Sequence, residues 1–238
     1  MNCLYLLLKL NRLESNQKTN LGIGFLAFGQ IFSWVGLFYV FAAFLVTWER
    51  NLAWSKAELT LGFSLAIFVS AISAPLIGKL IDYGFGKWVM LIGSFVGAIA
   101  LFSITLEGDY LSFIISWIII GFAQSACLYE ACFSHVLKPN PIESRRIVTH
   151  VSIIAGLALS VAFGSGAVLT NFFSWQIAIT IFSIGVATLA APTLFLGAAI
   201  FEYLAGDIES VVSSQREKLN SWRVFNKPIF WLIGLLFS

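Results

Sequence analysis

Glu130 is the side chain best placed to do chemistry, because of what precedes it: residues 110–129 contain no Asp, Glu, Lys or Arg. A carboxylate at the centre of an apolar helix costs about 2.5–3.5 kcal/mol on insertion scales, so it normally faces a cavity or a partner. A carboxyl in that position suits proton coupling. A side chain that reaches the interface, or that pairs with Arg145 or Arg146, is the plainer alternative. Gln124 and Tyr129 stand just before it, and Gln30, Ser33, Trp34 and Tyr39 occupy an earlier apolar run. Such residues line a solute path if their helices share a cavity, or simply bond across a helix–helix contact. Asp82 follows another apolar run, at a helix C-terminus, where a carboxylate opposes the helix dipole by about 0.3–1 kcal/mol. It needs a partner, and Lys79, Lys87, Arg145 and Arg146 are the candidates within this chain.

The other reactive side chains do not assemble into a catalytic set. His150 precedes Ser165 by fifteen residues of one helix, about 22 Å by helical rise, and cannot serve as its base. His135 lies at the opposite end of another helix from the level expected for Ser165. Cys127 and Cys132 are five apart within one apolar stretch, and Cys3 is remote; neither a disulfide framework nor a zinc site follows from that spacing. No nucleotide loop is present. The expectation is a protein that is not an enzyme and carries neither metal nor cofactor.

The elements that position these residues are long and apolar. Residues 21–48, 59–78, 88–106 and 110–129 lack any charged side chain, and so does 147–201, which is long enough to cross twice. A bilayer core about 30 Å thick requires roughly 20 residues of apolar helix. A composition of 59% hydrophobic and 11% charged residues is too apolar for a soluble surface. The fold class expected is therefore an all-α membrane protein, with helices at about 21–48, 56–81, 88–106, 110–136, 146–171 and 176–200.

Punctuation supports these limits. Ser55-Lys56-Ala57-Glu58 has the form of a capping box, Pro139 and Pro141 forbid helix continuation, and Pro192 is expected to kink the sixth helix. Small residues recur at close-packing intervals: Gly22, Gly29, Gly36 and Ala43; Gly93 and Gly97; Gly156, Ser160 and Gly164. Residues 1–20 read as a cytoplasmic lead-in, amphipathic or disordered, without a signal-peptide cleavage site. Residues 202–227 read as a charged cytoplasmic linker, and 228–238 as the opening of a seventh crossing, about half the length required.

Twelve of the fourteen basic residues fall on alternate sides of successive crossings; Arg50 and Lys56 are the exceptions. By the positive-inside rule the N-terminus and the second, fourth and sixth connections face the cytoplasm. These clusters set topology, and no basic face with interleaved aromatics suggests nucleic acid.

The connection Gly78-Lys79-Leu80-Ile81-Asp82-Tyr83-Gly84-Phe85-Gly86-Lys87 resembles the signature loop of the major facilitator superfamily, and it follows the second helix as that loop does. Tyr83 stands where the signature usually has a basic residue, and the closing glycine comes one position late. Trp54–Leu59, Ala74–Gly78 and Leu128-Tyr129-Glu130 are similar to the monocarboxylate and oxalate/formate branch. The resemblance implies a six-helix bundle of 3+3 inverted repeats, the N-terminal half of a transporter, cut short in helix 7. It implies alternating access, with Gln30, Ser33, Trp34, Tyr39, Gln124, Tyr129 and Glu130 on a substrate or proton pathway. Gly78, Asp82, Gly86, Lys87, Arg145 and Arg146 would form a cytoplasmic gate. It also implies a small organic anion as solute, proton coupling, and a multi-pass location in an inner or plasma membrane. A missing C-terminal half or a second copy is the implied partner, besides the lipid bilayer and the solute. A non-transporting remnant or interaction subunit, and a dimeric half-transporter, remain the alternatives. Helix 4 has Trp117 and Ile118 before Gly121 in place of the arginine that proton-coupled drug exporters carry, which argues against that branch.

The orientation is testable: a tag inserted after Lys218 is expected to resist external protease in intact cells, and its cleavage would reverse the assignment.

Overall fold

The computed structural model describes the backbone of residues 2–106, 109–137 and 143–212, and the side chains of 17–106, 109–137 and 143–204. The chain divides into two compact units, Met1–Ala205 and Gly206–Ser238. The first is a bundle of helical rods; of the second, only the backbone end of one helix is described. The seventh-helix opening at 228–238, most of the linker and the Pro139/Pro141 break lie outside the described residues.

The first rod is α1 (Asn2–Trp34), a π-helical turn (Val35–Tyr39) and α2 (Val40–Leu52). The second is α3 (Lys56–Leu80) and the third is α4 (Gly86–Ser103), ending in a 3₁₀ turn at Ile104–Leu106. The fourth comprises α5 (Tyr110–Cys127) and α6 (Tyr129–Leu137), and the fifth α7 (Ser144–Ala155) and α8 (Ala158–Phe172). The sixth joins α9 (Trp175–Gly185), a π-helical turn (Val186–Ala190) and α10 (Ala191–Val212). Among the described residues there is no strand.

Among the described residues five stretches are long and apolar enough to cross a membrane: Gln17–Leu52, Lys56–Leu106, Tyr110–Leu137, Ser144–Phe172 and Trp175–Leu204. The second has 51 residues, about 75 Å if it were one straight helix. It is not straight. Gly84 adopts φ +90°, ψ +8°, a left-handed conformation that side chains resist, and the chain reverses there. Contacts with the fourth rod prove the reversal. Gly62 faces Phe113 and Trp117 while Gly121 faces Ala66, so the second rod runs parallel to the fourth. Gly93 faces Ala126 and Gly97 faces Ala123, so the third runs antiparallel to it.

The capping box forms as the sequence suggests: Glu58 N–H donates to Ser55 Oγ at 3.3 Å, and Ser55 N–H donates to Glu58 Oε2 at 2.8 Å. Other limits differ. α1 begins at Asn2 rather than near residue 21, because residues 2–21 contain neither Gly nor Pro and are rich in helix formers. The fourth rod breaks at Leu128, whose backbone is extended (φ −79°, ψ −166°). α10 continues past residue 201 to Val212. The expected kink at Pro192 takes the form of the π-helical turn just before it, where proline supplies no N–H to the ladder.

Packing follows the rule for helices in lipid, with small residues admitting neighbours. Gly22, Gly29 and Gly36 receive Phe201, Leu194 and Val186 of the sixth rod, and Gly93 and Gly97 receive the fourth. Gly156, Ser160 and Gly164 instead lie on the exposed face of the fifth rod. Phe41 stacks on Phe63 at 4.5 Å, and Trp117 stands edge-on to both, joining the first, second and fourth rods. Large apolar side chains such as Phe68, Ile72, Ile99 and Ile153 point outward, as lipid solvation requires.

A Cβ on Gly121 would lie 2.3 Å from the Ala66 carbonyl oxygen, whereas one on Gly164 would meet nothing within 4 Å. Gly121→Ala is therefore expected to destabilise the bundle by roughly 1–3 kcal/mol, and Gly164→Ala to leave stability unchanged or raised. Thermal unfolding in detergent distinguishes the two.

Candidate functional site

The first and fourth rods are each irregular at one level, and each irregularity is covered by a glutamine of the other. In the first rod, the Leu37 carbonyl lies within the π-helical turn and accepts a hydrogen bond from Gln124 Nε2 at 2.6 Å. In the fourth rod, the Cys127 carbonyl lies at the Leu128 break and accepts from Gln30 Nε2 at 2.9 Å. Gln30 and Gln124 are almost wholly buried. Gln30 also bonds within its own helix, where its Oε1 accepts the Trp34 indole N–H at 3.1 Å. Both glutamines thus take the cross-helix bonding role, and neither amide N–H faces open space. Ser33 is buried beside them, and its Oγ has no hydrogen-bond partner among the described residues.

In front of this layer stands an aromatic panel. Trp34 lies 5.0 Å from Phe38, 5.7 Å from Tyr39 and 4.8 Å from Tyr129, between ring centroids. Tyr129 stacks on Phe133 at 5.3 Å with planes 6° apart, and Phe38 meets Phe63 of the second rod at 5.2 Å. All these rings are half-buried. Residues four apart on a helix share a face, which is why 34/38 and 129/133 pair.

Glu130 projects beside the panel. At 100° per residue, the buried residues Ala131, Cys132 and Val136 cover one arc of α6, and Glu130 projects from the opposite arc, exposed. That open arc is bounded by Tyr129 and Phe133 towards the first rod and by Ser134 on its other flank, and α6 also touches α3. Among the described residues no ion pair joins Glu130 to Arg145 or Arg146. Arg146 is held by Glu143 at 3.3 Å and by Asn20 Oδ1 of the first rod, and Arg145 is exposed.

The signature-loop residues gather at the same end of the bundle in a different set of contacts. Lys87 Nζ stands 3.0 Å from Glu202 Oε2 of the sixth rod, at ion-pair distance but without hydrogen-bond geometry. Gly86 is buried under the His135 imidazole; a Cβ there would fall 2.0 Å from Nδ1. Gly78 has open space around it, and Asp82 is exposed on the turn. His150 Nδ1 lies 2.8 Å from the Arg146 carbonyl, within its own helix. Among the described residues no three His, Cys, Asp or Glu side chains gather to hold a metal.

Sequence reasoning missed Phe38, Phe63, Phe133, His135 and Glu202. The i, i+4 spacing from Trp34 and Tyr129 was a usable signal for Phe38 and Phe133. The seating of His135 on Gly86, and the pairing of Lys87 with a residue read as the start of a linker, are tertiary contacts without a local signature.

A family model described as Major Facilitator Superfamily matches residues 26–238. No curated protein and no solved structure matches the chain.

Removing either glutamine exposes the arrangement to test. Gln124→Leu is expected to lower stability by roughly 0.6–1.7 kcal/mol, the range for side-chain hydrogen bonds between membrane helices. Gln30→Leu is expected to cost a similar amount and also to shift Trp34 fluorescence, because the indole N–H loses its acceptor. Unfolding in detergent and emission spectra measure the two effects.

Proposed function

The chain belongs to the major facilitator superfamily, and on that premise we propose that it moves a small solute across a cell membrane by alternating access. Members of this superfamily are secondary transporters rather than enzymes. The observation that carries the reading is Glu130: an exposed carboxylate, unpaired among the described residues, lies within an apolar crossing beside half-buried aromatic rings. Facing lipid it would be costly, so this face of the bundle borders an aqueous path or a second bundle.

In this scheme the open face of the first, second and fourth rods docks against a counterpart, either a second six-helix half or another copy of the chain. The two bundles rock about the solute. The N-terminus and the end carrying Lys87, Arg145 and Arg146 lie in the cytoplasm, following the distribution of basic residues. The loop from Gly78 to Lys87 works there as part of the gate. Lys87 and Arg146 brace the bundle internally, through Glu202 and Asn20. An organic anion, the solute implied by the branch resemblance, would draw its counter-charge from outside this face. The sequence has no basic residue between Lys18 and Arg50, Lys56 and Lys79, or Lys87 and Lys138. Proton coupling in this scheme is assigned to Glu130.

Alternating access has a direct test. In a chain whose three native cysteines are replaced by serine, Phe38→Cys is expected to react with a membrane-impermeant maleimide applied from either side of the membrane. Labelling from one side alone would count against transport and for a static interaction subunit.

A further inference from the structure

We infer that the aromatic panel with Glu130 is a subsite for an organic cation, a solute of the amine or quaternary-ammonium class. The inference rests on the transport reading and names its substrate.

The donors near the panel decide the sign of the solute. An anion in a membrane interior requires positive charge, or N–H and O–H donors aimed at its oxygens. The indole N–H and one N–H of each glutamine amide bond within the protein: Gln30 Nε2 to the Cys127 carbonyl, Gln124 Nε2 to the Leu37 carbonyl, and Trp34 Nε1 to Gln30 Oε1. Both glutamines are buried behind the rings and cannot turn to a solute without uncovering a backbone carbonyl. Two positive side chains of this end are seated elsewhere, Lys87 on Glu202 and Arg146 on Glu143 and Asn20, while Arg145 of the fifth rod is exposed. What the panel presents is mainly of the opposite character: the half-buried rings of Trp34, Phe38, Tyr39, Tyr129 and Phe133 and the exposed carboxylate of Glu130, with the two phenol hydroxyls able to donate or accept.

That residue combination matches a cation on two independent grounds. Aromatic rings present a negative quadrupole face, tryptophan most strongly, and attract an ammonium group within about 6 Å of the ring centroid. Bonding of the indole N–H to Gln30 turns the Trp34 edge into the protein, leaving its π system as the part on offer. Glu130 supplies the compensating charge: adjacent in sequence to Tyr129, it projects from the same open arc of α6 that carries Tyr129 and Phe133 at its border. Among the described residues no cation pairs with Glu130, which leaves its carboxyl available to a solute. A tetraalkylammonium ion, with a diffuse charge and no N–H donors of its own, asks for nothing this surface lacks.

The experiment uses the full chain purified in nanodiscs and titrated calorimetrically with tetraethylammonium chloride or with sodium acetate. Saturable binding is expected for tetraethylammonium and none for acetate. Glu130→Gln and Trp34→Leu are each expected to weaken tetraethylammonium at least tenfold, while Trp34→Phe, which keeps a π face, retains most of the affinity. Saturable acetate binding without tetraethylammonium binding overturns the inference. So does a folded, monodisperse chain that binds neither, or tetraethylammonium affinity unchanged in Glu130→Gln. Two-sided labelling of Phe38→Cys together with absent cation binding would remove the cation and leave transport standing. One-sided labelling with cation binding intact would do the reverse.

Discussion

In hydrocarbon a backbone N–H or C=O has no water to fall back on, so each must find its partner within the protein. Regular helices satisfy that condition without side chains, and most of this bundle is regular. The first and fourth rods are irregular where they face each other, and the rest of the site follows from how those two irregularities are covered. A π-helical turn around Leu37 and a break at Leu128 lie where the rods cross, and Gln124 and Gln30 each reach across to a carbonyl of the other rod. The exchange ties two helices together, fixes the Trp34 indole through Gln30, and rotates Tyr129 and Glu130 relative to α5.

Around that link the bundle is held by close approach more than by burial from water, because lipid is no less apolar than leucine. The glycines of the first rod admit the sixth, and Gly93 and Gly97 of the third admit the fourth. Ser183 Oγ donates to the Ala98 carbonyl at 2.8 Å, joining the third and sixth rods within the membrane, and Lys87–Glu202 joins them again at the end. The small residues of the fifth rod behave differently: Gly156, Ser160 and Gly164 receive no neighbour from the other described rods.

Much of this was legible in the residues themselves. Uncharged runs announced the crossings, Ser55 and Glu58 announced their capping box, and Gly78–Lys87 announced the family that the match over residues 26–238 then showed. The legible features were local or periodic. Gln30 and Gln124 were recognisable as polar residues in apolar helices, yet whether they faced a cavity or each other's backbone depended on rod register, which no local pattern encodes. The break at Leu128 was invisible for a related reason: the Cys127 carbonyl beside it is covered by Gln30, 97 residues away. Likewise, the lysine of the signature loop gave no sign that its partner is Glu202.

The crossed glutamines impose an order in time as well as in space. A chain is synthesised from its N-terminus at about 5–20 residues per second, and 87 residues separate Leu37 from Gln124. Leu37 is therefore made roughly 4–17 s before the side chain that covers its irregular turn. For that interval the first helix must hold a regular helical form, or lean on the insertion machinery, and it acquires its mature bend only when the fourth helix arrives. The shape of the aromatic panel is thus completed late, from the middle of the polypeptide, although half of its rings were translated near the beginning.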